Sequence, residues 1–383
     1  MRFTQFAALA AGSSVLLLLP SVAAGADAIP GESRAAPGGV TALPLTESRR
    51  SGGPADGADR TLDSQSTKSF ALLGVSWDDP TAQLDGTVQV RTRSAATGRW
   101  SGWHDLDVEA DDRPDEPTGR GSTAPLWVGA SNGVSVRVHS AGRPLPAGLR
   151  AELVDPGSGP AVTAGSESSA AASERVLPSV DHPGPRPGIV TRSGWGADES
   201  VREPGFVYTD PVKAVFVHHT DTANNYSCSD SAAIIRSIYL YHVQSNGWRD
   251  IGYNFLVDRC GTIFEGRAGG VIEPVLGAHT LGFNTASSGV AAIGSFGTAS
   301  APQAQQDGIV KIAAWKLGLT DQDAAGSTTL VSASDGSRYK KGTSVSFKTI
   351  SGHRDAFATE CPGGTLYSRL GDIRTRAAKL QGR

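Results

Sequence analysis

A stretch rich in Gly, Ser, Ala and Pro, at residues 156–188, constrains the fold of this chain more than any other feature. Its sequence, PGSGPAVTAGSESSAAASERVLPSVDHPGPRPG, has no apolar periodicity, which is typical of a linker between domains. The residues before it form short strand-like runs, whereas the residues after it alternate between strand and helix patterns. A chain of 383 residues is also longer than one ordinary domain. We therefore predict two folded domains of different class.

The region before this linker, residues 66–155, has the pattern of an all-β domain. Runs such as FALLGVSW, GTVQVRTR and GLRAELVD are separated by Gly, Pro and Asp, and this spacing predicts a small sandwich-like fold. Within the run PLWVGASNGVSVRVHS, the segment GASNG formally matches a G-x-S-x-G nucleophile motif. Strand-like residues follow it where that motif requires a helix, so we predict a hairpin turn at Ser131 and Asn132.

The first 65 residues are predicted to lie outside both domains. Residues 1–26 combine an arginine, an apolar run and small residues at their end, which is typical of a signal peptide. Residues 27–65 are rich in Ala, Gly, Ser and Pro, so we predict that they are disordered. Since no second hydrophobic span follows, we expect a mature protein without an integral membrane span. It would be secreted, and either extracellular or associated with the cell wall.

Residues 189–383 have the pattern of an α/β domain, in which a central mixed sheet is flanked by helices. The segments KAVFVHHT, YNFLVDRCGTIFEGR, GVAAIGSF and FKTISG are predicted strands. The predicted helices are SDSAAIIRSIYLYHVQSNG, PQAQQDGIVKIAAWKLGL and GTLYSRLGDIRTRAAKL. H-E-x-x-H and P-C-x-x-C motifs are absent from the sequence. A formal net charge of −3 gives no reason to expect a nucleic-acid partner.

Histidines end two of these strands, and this arrangement suggests a metal site. His218 and His219 end one strand, His353 follows another, and Cys361 lies eight residues further on. If the strands are neighbours, one histidine from each and the thiolate could form a three-ligand zinc site with an open position. Because adjacent strand residues face opposite sides, only one of the first two histidines can take part, and spacing does not choose between them.

A disulfide is the alternative explanation for Cys361. The chain has three cysteines, so any single disulfide leaves one of them unpaired. If Cys361 paired with Cys228 or Cys260, His353 would be only a histidine in a polar loop. The residues by themselves leave both possibilities open.

Four blocks point to a known family. VFVHHTD, GWRDIGYNFLVDRCGTIFEGR, GAHTLGFNTASSGVAAIGSF and GHRDAFATECPG occur in this order between residues 215 and 363. Together they closely resemble the peptidoglycan recognition protein and type 2 zinc N-acetylmuramoyl-L-alanine amidase family. The resemblance covers residues 189 to 381 and implies that family's α/β fold. The β-rich region resembles a module found ahead of such domains in exported actinobacterial amidases.

The resemblance implies roles for particular residues. His218, His353 and Cys361 correspond to the ligands of a single zinc ion, which leaves Cys228 and Cys260 to form a disulfide. Two positions correspond to catalytic residues and one to a residue lining the substrate groove; these are Tyr253, Thr359 and His279.

The resemblance also implies an activity. The expected reaction is hydrolysis of the amide between the lactyl group of N-acetylmuramic acid and L-alanine of the peptidoglycan stem peptide. The expected partners are peptidoglycan and muropeptides, and we expect a monomer. The alternative is a recognition protein that binds peptidoglycan without cleaving it. Family members of that kind lack the metal-binding cysteine, so Cys361 favours an enzyme.

Overall fold

The computed structural model describes residues 37–48, 60–108, 112–160 and 180–383. The predicted signal peptide lies outside these residues, as does most of the predicted linker. Among the described helices, none has the length and apolar character needed to cross a lipid bilayer.

The N-terminal domain is an antiparallel sheet of eight strands, which confirms the predicted all-β class. The main order is β1-β8-β3-β7-β4-β5, and β2 and β6 also pair with β3. The strands are β1 (Gly39–Pro44), β2 (Thr46–Glu47), β3 (Arg60–Trp77), β4 (Gly86–Ser94), β5 (His104–Leu106), β6 (Gly121–Ser122), β7 (Leu126–Ser140) and β8 (Arg150–Asp155). Alternate residues of β4 and β7, such as Val88, Val90, Val136 and Val138, are buried, as expected for strands with one face on a core.

Strand β1 lies inside the segment predicted to be disordered, so that prediction is wrong there. The strand pairs with β8 along its whole length, from Gly39 opposite Asp155 to Pro44 opposite Arg150. Strand β3 likewise begins at Arg60, before the predicted start of the domain. Strand β1 is a half-exposed edge strand whose backbone pairs with β8, and its side chains Val40 and Leu43 pack at the margins of the apolar clusters. Such a strand needs no alternating apolar pattern, which is the signal that prediction depends on.

The predicted hairpin turn at Ser131 and Asn132 is also wrong. Strand β7 runs through both residues, and Ser131 pairs with Phe70 of β3 and with Ser94 of β4. The register of both neighbouring strands shifts next to this point, and Gly129 has a φ of 67°. The glycines and polar residues of GASNG therefore form an irregularity within a central strand.

The C-terminal domain has the predicted mixed sheet, in the order β11-β10-β12-β9-β15, and a separate hairpin formed by β13 and β14. Its strands are β9 (Ala214–His219), β10 (Phe255–Val257), β11 (Ile263–Glu265), β12 (Ser287–Ala292), β13 (Ser327–Val331), β14 (Ser344–Lys348) and β15 (Ile350–Gly352). All pairs in the five-stranded sheet are parallel except β10 with β11.

The helices are α1 (Arg192–Trp195), α2 (Ser231–Leu240), α3 (Gln303–Gly318), α4 (His353–Ala356), α5 (Gly364–Tyr367) and α6 (Leu370–Leu380). Helix α2 continues into a π-helical turn at Tyr241–Ser245. The last predicted helix is two helices, α5 and α6, rather than one. Helices α3 and α6 pack on one face of the sheet, and α2 packs on the other. A disulfide joins Cys228, just before α2, to Cys260 in the turn between β10 and β11.

The two domains share a continuous apolar cluster. Leu72 and Val154 of the N-terminal domain pack with Leu240 and Tyr241, at the end of α2. The Tyr241 hydroxyl donates a hydrogen bond to the carbonyl oxygen of Thr123, at 3.1 Å. This contact brings the segment between β5 and β7 next to the carboxyl edge of the C-terminal sheet.

Candidate metal centre

Two adjacent parallel strands place the histidines at the same edge of the sheet. In the register of β9 and β15, Val217 lies opposite Gly352. The next residues along the two chains are His218 and His353, and both side chains are almost fully buried. Because the carboxyl ends of parallel strands meet at one edge, the two imidazoles lie side by side, with ring centroids 4.6 Å apart.

Cys361 returns to this edge from the loop after α4. Its Sγ lies 3.8 Å from Nδ1 of His218, and the ligand atoms of His218, His353 and Cys361 all lie within 4.8 Å of one another. The backbone N–H of His219 donates to this sulfur at 3.4 Å. Cys361 is buried and is not part of a disulfide. The alternative in which it pairs with another cysteine is therefore wrong.

This cluster has the properties of a site for a divalent cation. Both ring nitrogens of His353 are buried without a hydrogen-bond partner among the described residues. Burial lowers the pKa of His353 to about 3, so the imidazole stays neutral and keeps a free lone pair. Burial, followed by the nearby carboxylate of Asp112, raises the pKa of Cys361 well above its usual value. A bound cation would offset both effects by stabilising the thiolate, and two imidazoles with one thiolate suit zinc.

The side chain of His219 points away from this cluster. Its Nδ1 accepts a hydrogen bond from the backbone N–H of Phe296, at 3.3 Å. Nδ1 of His218, in contrast, faces the sulfur of Cys361. The geometry therefore distinguishes the two neighbouring histidines, which the strand pattern does not.

Tyr253 and Thr359 both lie at the edge of the cluster. The rings of Tyr253 and His218 are 5.6 Å apart, and burial raises the pKa of Tyr253 well above its usual value. Its hydroxyl therefore stays protonated and can donate a hydrogen bond. The Thr359 hydroxyl accepts a hydrogen bond from the backbone N–H of Cys361, at 3.1 Å, which holds the ligand loop in shape.

His279 lies behind His218 in this structure, and its expected role in the substrate groove stays a prediction. Its side chain is fully buried behind His218, packed over Gly289 of β12, where a Cβ atom would lie 2.4 Å from the ring. Its Nδ1 lies 3.3 Å from Nε2 of His218, and the Thr280 hydroxyl is also 3.3 Å from that nitrogen. These contacts occupy the far side of the His218 ring and so orient Nδ1 towards the cluster.

Asp112, from the N-terminal domain, is a member of the site that the sequence did not reveal. Its Oδ1 lies 2.9 Å from Nδ1 of His218 and 3.4 Å from Nδ1 of His353. Its Oδ2 accepts a hydrogen bond of 2.5 Å from the Tyr253 hydroxyl. Burial raises the pKa of Asp112, but His218 and the hydrogen bond from Tyr253 lower it more, so the carboxylate is ionised. The segment DRPDEP has no motif that would have predicted this position.

Two protein-family models match this chain. A family model described as N-acetylmuramoyl-L-alanine amidase matches residues 208–364. A second model, described as Rv3811 N-terminal galactose-binding domain-like, matches residues 30–173, a range that includes β1.

Curated relatives match the C-terminal domain. Peptidoglycan-recognition protein SC2 of Drosophila simulans is 32% identical over 185 residues, which cover 48% of this chain and 84% of that protein. The N-acetylmuramoyl-L-alanine amidase of Homo sapiens is 31% identical over 190 residues, covering 48% of this chain and 28% of that protein. Among solved structures, wild-type Drosophila PGRP-LB is 29% identical, with a TM-score of 0.38, and the match covers 48% of this chain and 91% of that one. This chain therefore belongs to the peptidoglycan recognition protein and type 2 N-acetylmuramoyl-L-alanine amidase family.

Proposed function

We propose that this protein is a secreted, zinc-dependent N-acetylmuramoyl-L-alanine amidase. It would hydrolyse the amide between the lactyl group of N-acetylmuramic acid and L-alanine of the stem peptide. The observation that carries the proposal is the buried cluster of His218, His353 and Cys361, with the thiol free of any disulfide. A chain that only bound muropeptides would have no need for a thiol at this position.

The cluster would hold zinc through Nδ1 of His218, a ring nitrogen of His353 and Sγ of Cys361. Bound zinc supplies Lewis acidity, which activates water and polarises a carbonyl group. The contacts of His279 and Thr280 keep the His218 ring in its ligating orientation. The backbone N–H of His219 stabilises the thiolate.

Tyr253 would stabilise the negative charge that develops on the scissile carbonyl oxygen. Its hydroxyl lies beside the His218 ring and stays protonated because burial raises its pKa. A buried donor aimed at a developing oxyanion is worth more than the same donor in water. Thr359, whose hydroxyl accepts a hydrogen bond from the backbone N–H of Cys361, would act by positioning Cys361.

The proposal is tested by Cys361→Ser. We expect its zinc content, measured by atomic absorption, to fall from one ion per chain to near zero. Release of free L-alanine amino groups from a soluble muropeptide should fall below detection. The matched control is His219→Asn, which should keep its zinc because the His219 side chain points away from the cluster. Undiminished hydrolysis by the Cys361→Ser protein would contradict the mechanism. If the wild-type protein bound zinc and muropeptide but hydrolysed none of it, the protein would be a recognition protein.

A further inference from the structure

A segment of the N-terminal domain lies directly over the metal cluster. This covering segment, residues 112–120, lies between β5 and β6 in the chain and so belongs to the N-terminal domain. The cavity at the cluster is accordingly lined by both domains. Asp112, Ser122 and Pro125 form one side, and Tyr253, His353 and Cys361 form the other.

Asp112, at the start of the covering segment, contacts two residues to which the proposed function assigns roles, His218 and Tyr253. Its carboxylate lies against the proposed ligand nitrogens, with Oδ1 2.9 Å from Nδ1 of His218 and 3.4 Å from Nδ1 of His353. It also takes the Tyr253 hydroxyl as a hydrogen-bond donor, at 2.5 Å. Under the proposed function, a scissile carbonyl oxygen would need this same hydroxyl. Asp112 and a substrate therefore cannot occupy the site together.

Two further contacts, at Asp115 and at Gly119–Arg120, hold the covering segment in place. The Asp115 carboxylate accepts hydrogen bonds from the backbone N–H of Gly282 at 2.5 Å and from the Asn284 side chain at 2.9 Å. At the end of the segment, the backbone N–H of Arg120 donates a hydrogen bond to the carbonyl oxygen of Asn246, at 2.9 Å. Gly119 packs so closely on that carbonyl that a Cβ atom would lie 1.8 Å from the oxygen.

We propose that residues 112–120 hold this protein in a latent form, with Asp112 as the blocking group. The inference rests on the proposed function, because it assigns Asp112 to the position that a substrate needs. Release requires the covering segment to move away from the cluster. The described residues of the segment lie between β5 and β6 and pair with no strand, so the segment can move without opening the eight-stranded sheet.

Two substitutions in the full-length chain test the inference. Asp112→Ala removes the blocking carboxylate, and Asp115→Ala removes an anchor that contacts none of the metal ligands. The matched control is Glu116→Ala, an exposed acidic residue of the same segment. Binding of a soluble muropeptide is measured by calorimetry on chelator-treated protein, so that the result does not depend on metal or turnover. Hydrolysis is then measured after zinc is added.

In a latent protein, only the molecules whose covering segment has moved away can bind the muropeptide. The apparent affinity for the muropeptide is therefore reduced in proportion to that fraction. We therefore expect both variants to bind the muropeptide about tenfold more tightly than the wild type, and Glu116→Ala to bind like the wild type. Affinities of Asp112→Ala and Asp115→Ala that equal or fall below that of the wild type would overturn the inference.

The hydrolysis assay separates failure of the inference from failure of the proposed function. Tighter binding by the variants without hydrolysis would support latency and contradict the amidase activity. Equal affinity and equal, substantial hydrolysis in the wild type and in Asp112→Ala would support the amidase and refute latency.

Discussion

His218 and His219 are neighbours on β9 with different surroundings, because successive strand residues face opposite sides of a sheet. His218 faces the metal cluster and has a histidine and a threonine behind it. His219 accepts a hydrogen bond from a backbone N–H and, through its own backbone N–H, donates one to the ligand sulfur. At this scale, the role of a side chain depends on which groups reach each of its atoms.

His242 shows how burial controls the charge of a single residue. It is buried against Trp248, with ring centroids 4.4 Å apart, and its Nδ1 accepts a hydrogen bond of 3.1 Å from the backbone N–H of Gly252. Accepting this bond requires an unprotonated Nδ1. Burial lowers the pKa of His242 to about 3. In the folded protein His242 is therefore protonated only near pH 3, whereas in the unfolded chain it is protonated below about pH 6.5.

We expect this difference to make the protein sensitive to acid. Between pH 6.5 and 3 the unfolded state binds more protons at this residue, so the free energy of unfolding falls as the pH falls. The contribution of His242 to that loss is about 2 kcal/mol at pH 5. His242→Asn keeps an acceptor for Gly252 but cannot titrate, so it should lose less stability between pH 7 and 5. Urea unfolding at both pH values measures the difference, and equal losses in the two proteins would contradict the assignment.

Among the elements, α3 is joined to a loop of the C-terminal domain by a buried lysine. The ammonium group of Lys316 donates to three carbonyl oxygens, those of Val271, Ile272 and Glu273, at 2.8 to 2.9 Å. The side chain is only 3% exposed, so these carbonyls have little access to water. The helix thereby holds a segment of irregular backbone that has no strand partner of its own.

Replacement of Lys316 by methionine should destabilise the fold. The change keeps most of the apolar volume but leaves three carbonyl oxygens with poor hydrogen bonding, at a cost of about 3 kcal/mol. Lys311→Met, on the exposed face of the same helix, is the matched control and should change stability by less than about 0.5 kcal/mol. Chemical denaturation measures both. Similar stabilities for the two variants would show that the bonds of Lys316 contribute little.

For the molecule as a whole, the contact between the two domains positions the covering segment over the site. Gly74 of β3 lies against Tyr241, where a Cβ atom would be 2.2 Å from the phenolic oxygen. Tyr241 is fully buried and cannot swing away. Because Leu72 and Val154 belong to the same apolar cluster as α2, we expect the described domains to unfold together in one thermal transition.

Gly74→Ala tests this coupling. The added methyl group overpacks the contact, so we expect a loss of about 1 to 3 kcal/mol and a separation of the thermal transition into two. Gly102→Ala, where an added Cβ atom meets nothing within 4 Å, is the control and should unfold like the wild type. Calorimetry distinguishes the outcomes. A single unchanged transition for Gly74→Ala would show that the domains are not coupled through this contact.

The sequence by itself determined both fold classes and most of the secondary structure of the C-terminal domain. Its parallel strands are buried on both faces and are therefore apolar runs, and the amphipathic pattern of α2 also marks the helix. The three proposed metal ligands could be named only from the resemblance of the ordered blocks to the family, because strand pattern and spacing left His218 and His219 undistinguished. Strand β1 was missed because its stability comes from pairing with β8, more than a hundred residues away.

Only the tertiary structure decided how the metal cluster is surrounded. It showed by ring orientation that His218 faces the cluster, as the resemblance implied, and it placed His279 behind His218. It also brought Asp112 to the Tyr253 hydroxyl across 141 positions of the chain. The physical reason is that apolar periodicity reports only how residues close together in the chain fold. The approach of one domain to another depends on shape and packing between surfaces that no local pattern encodes.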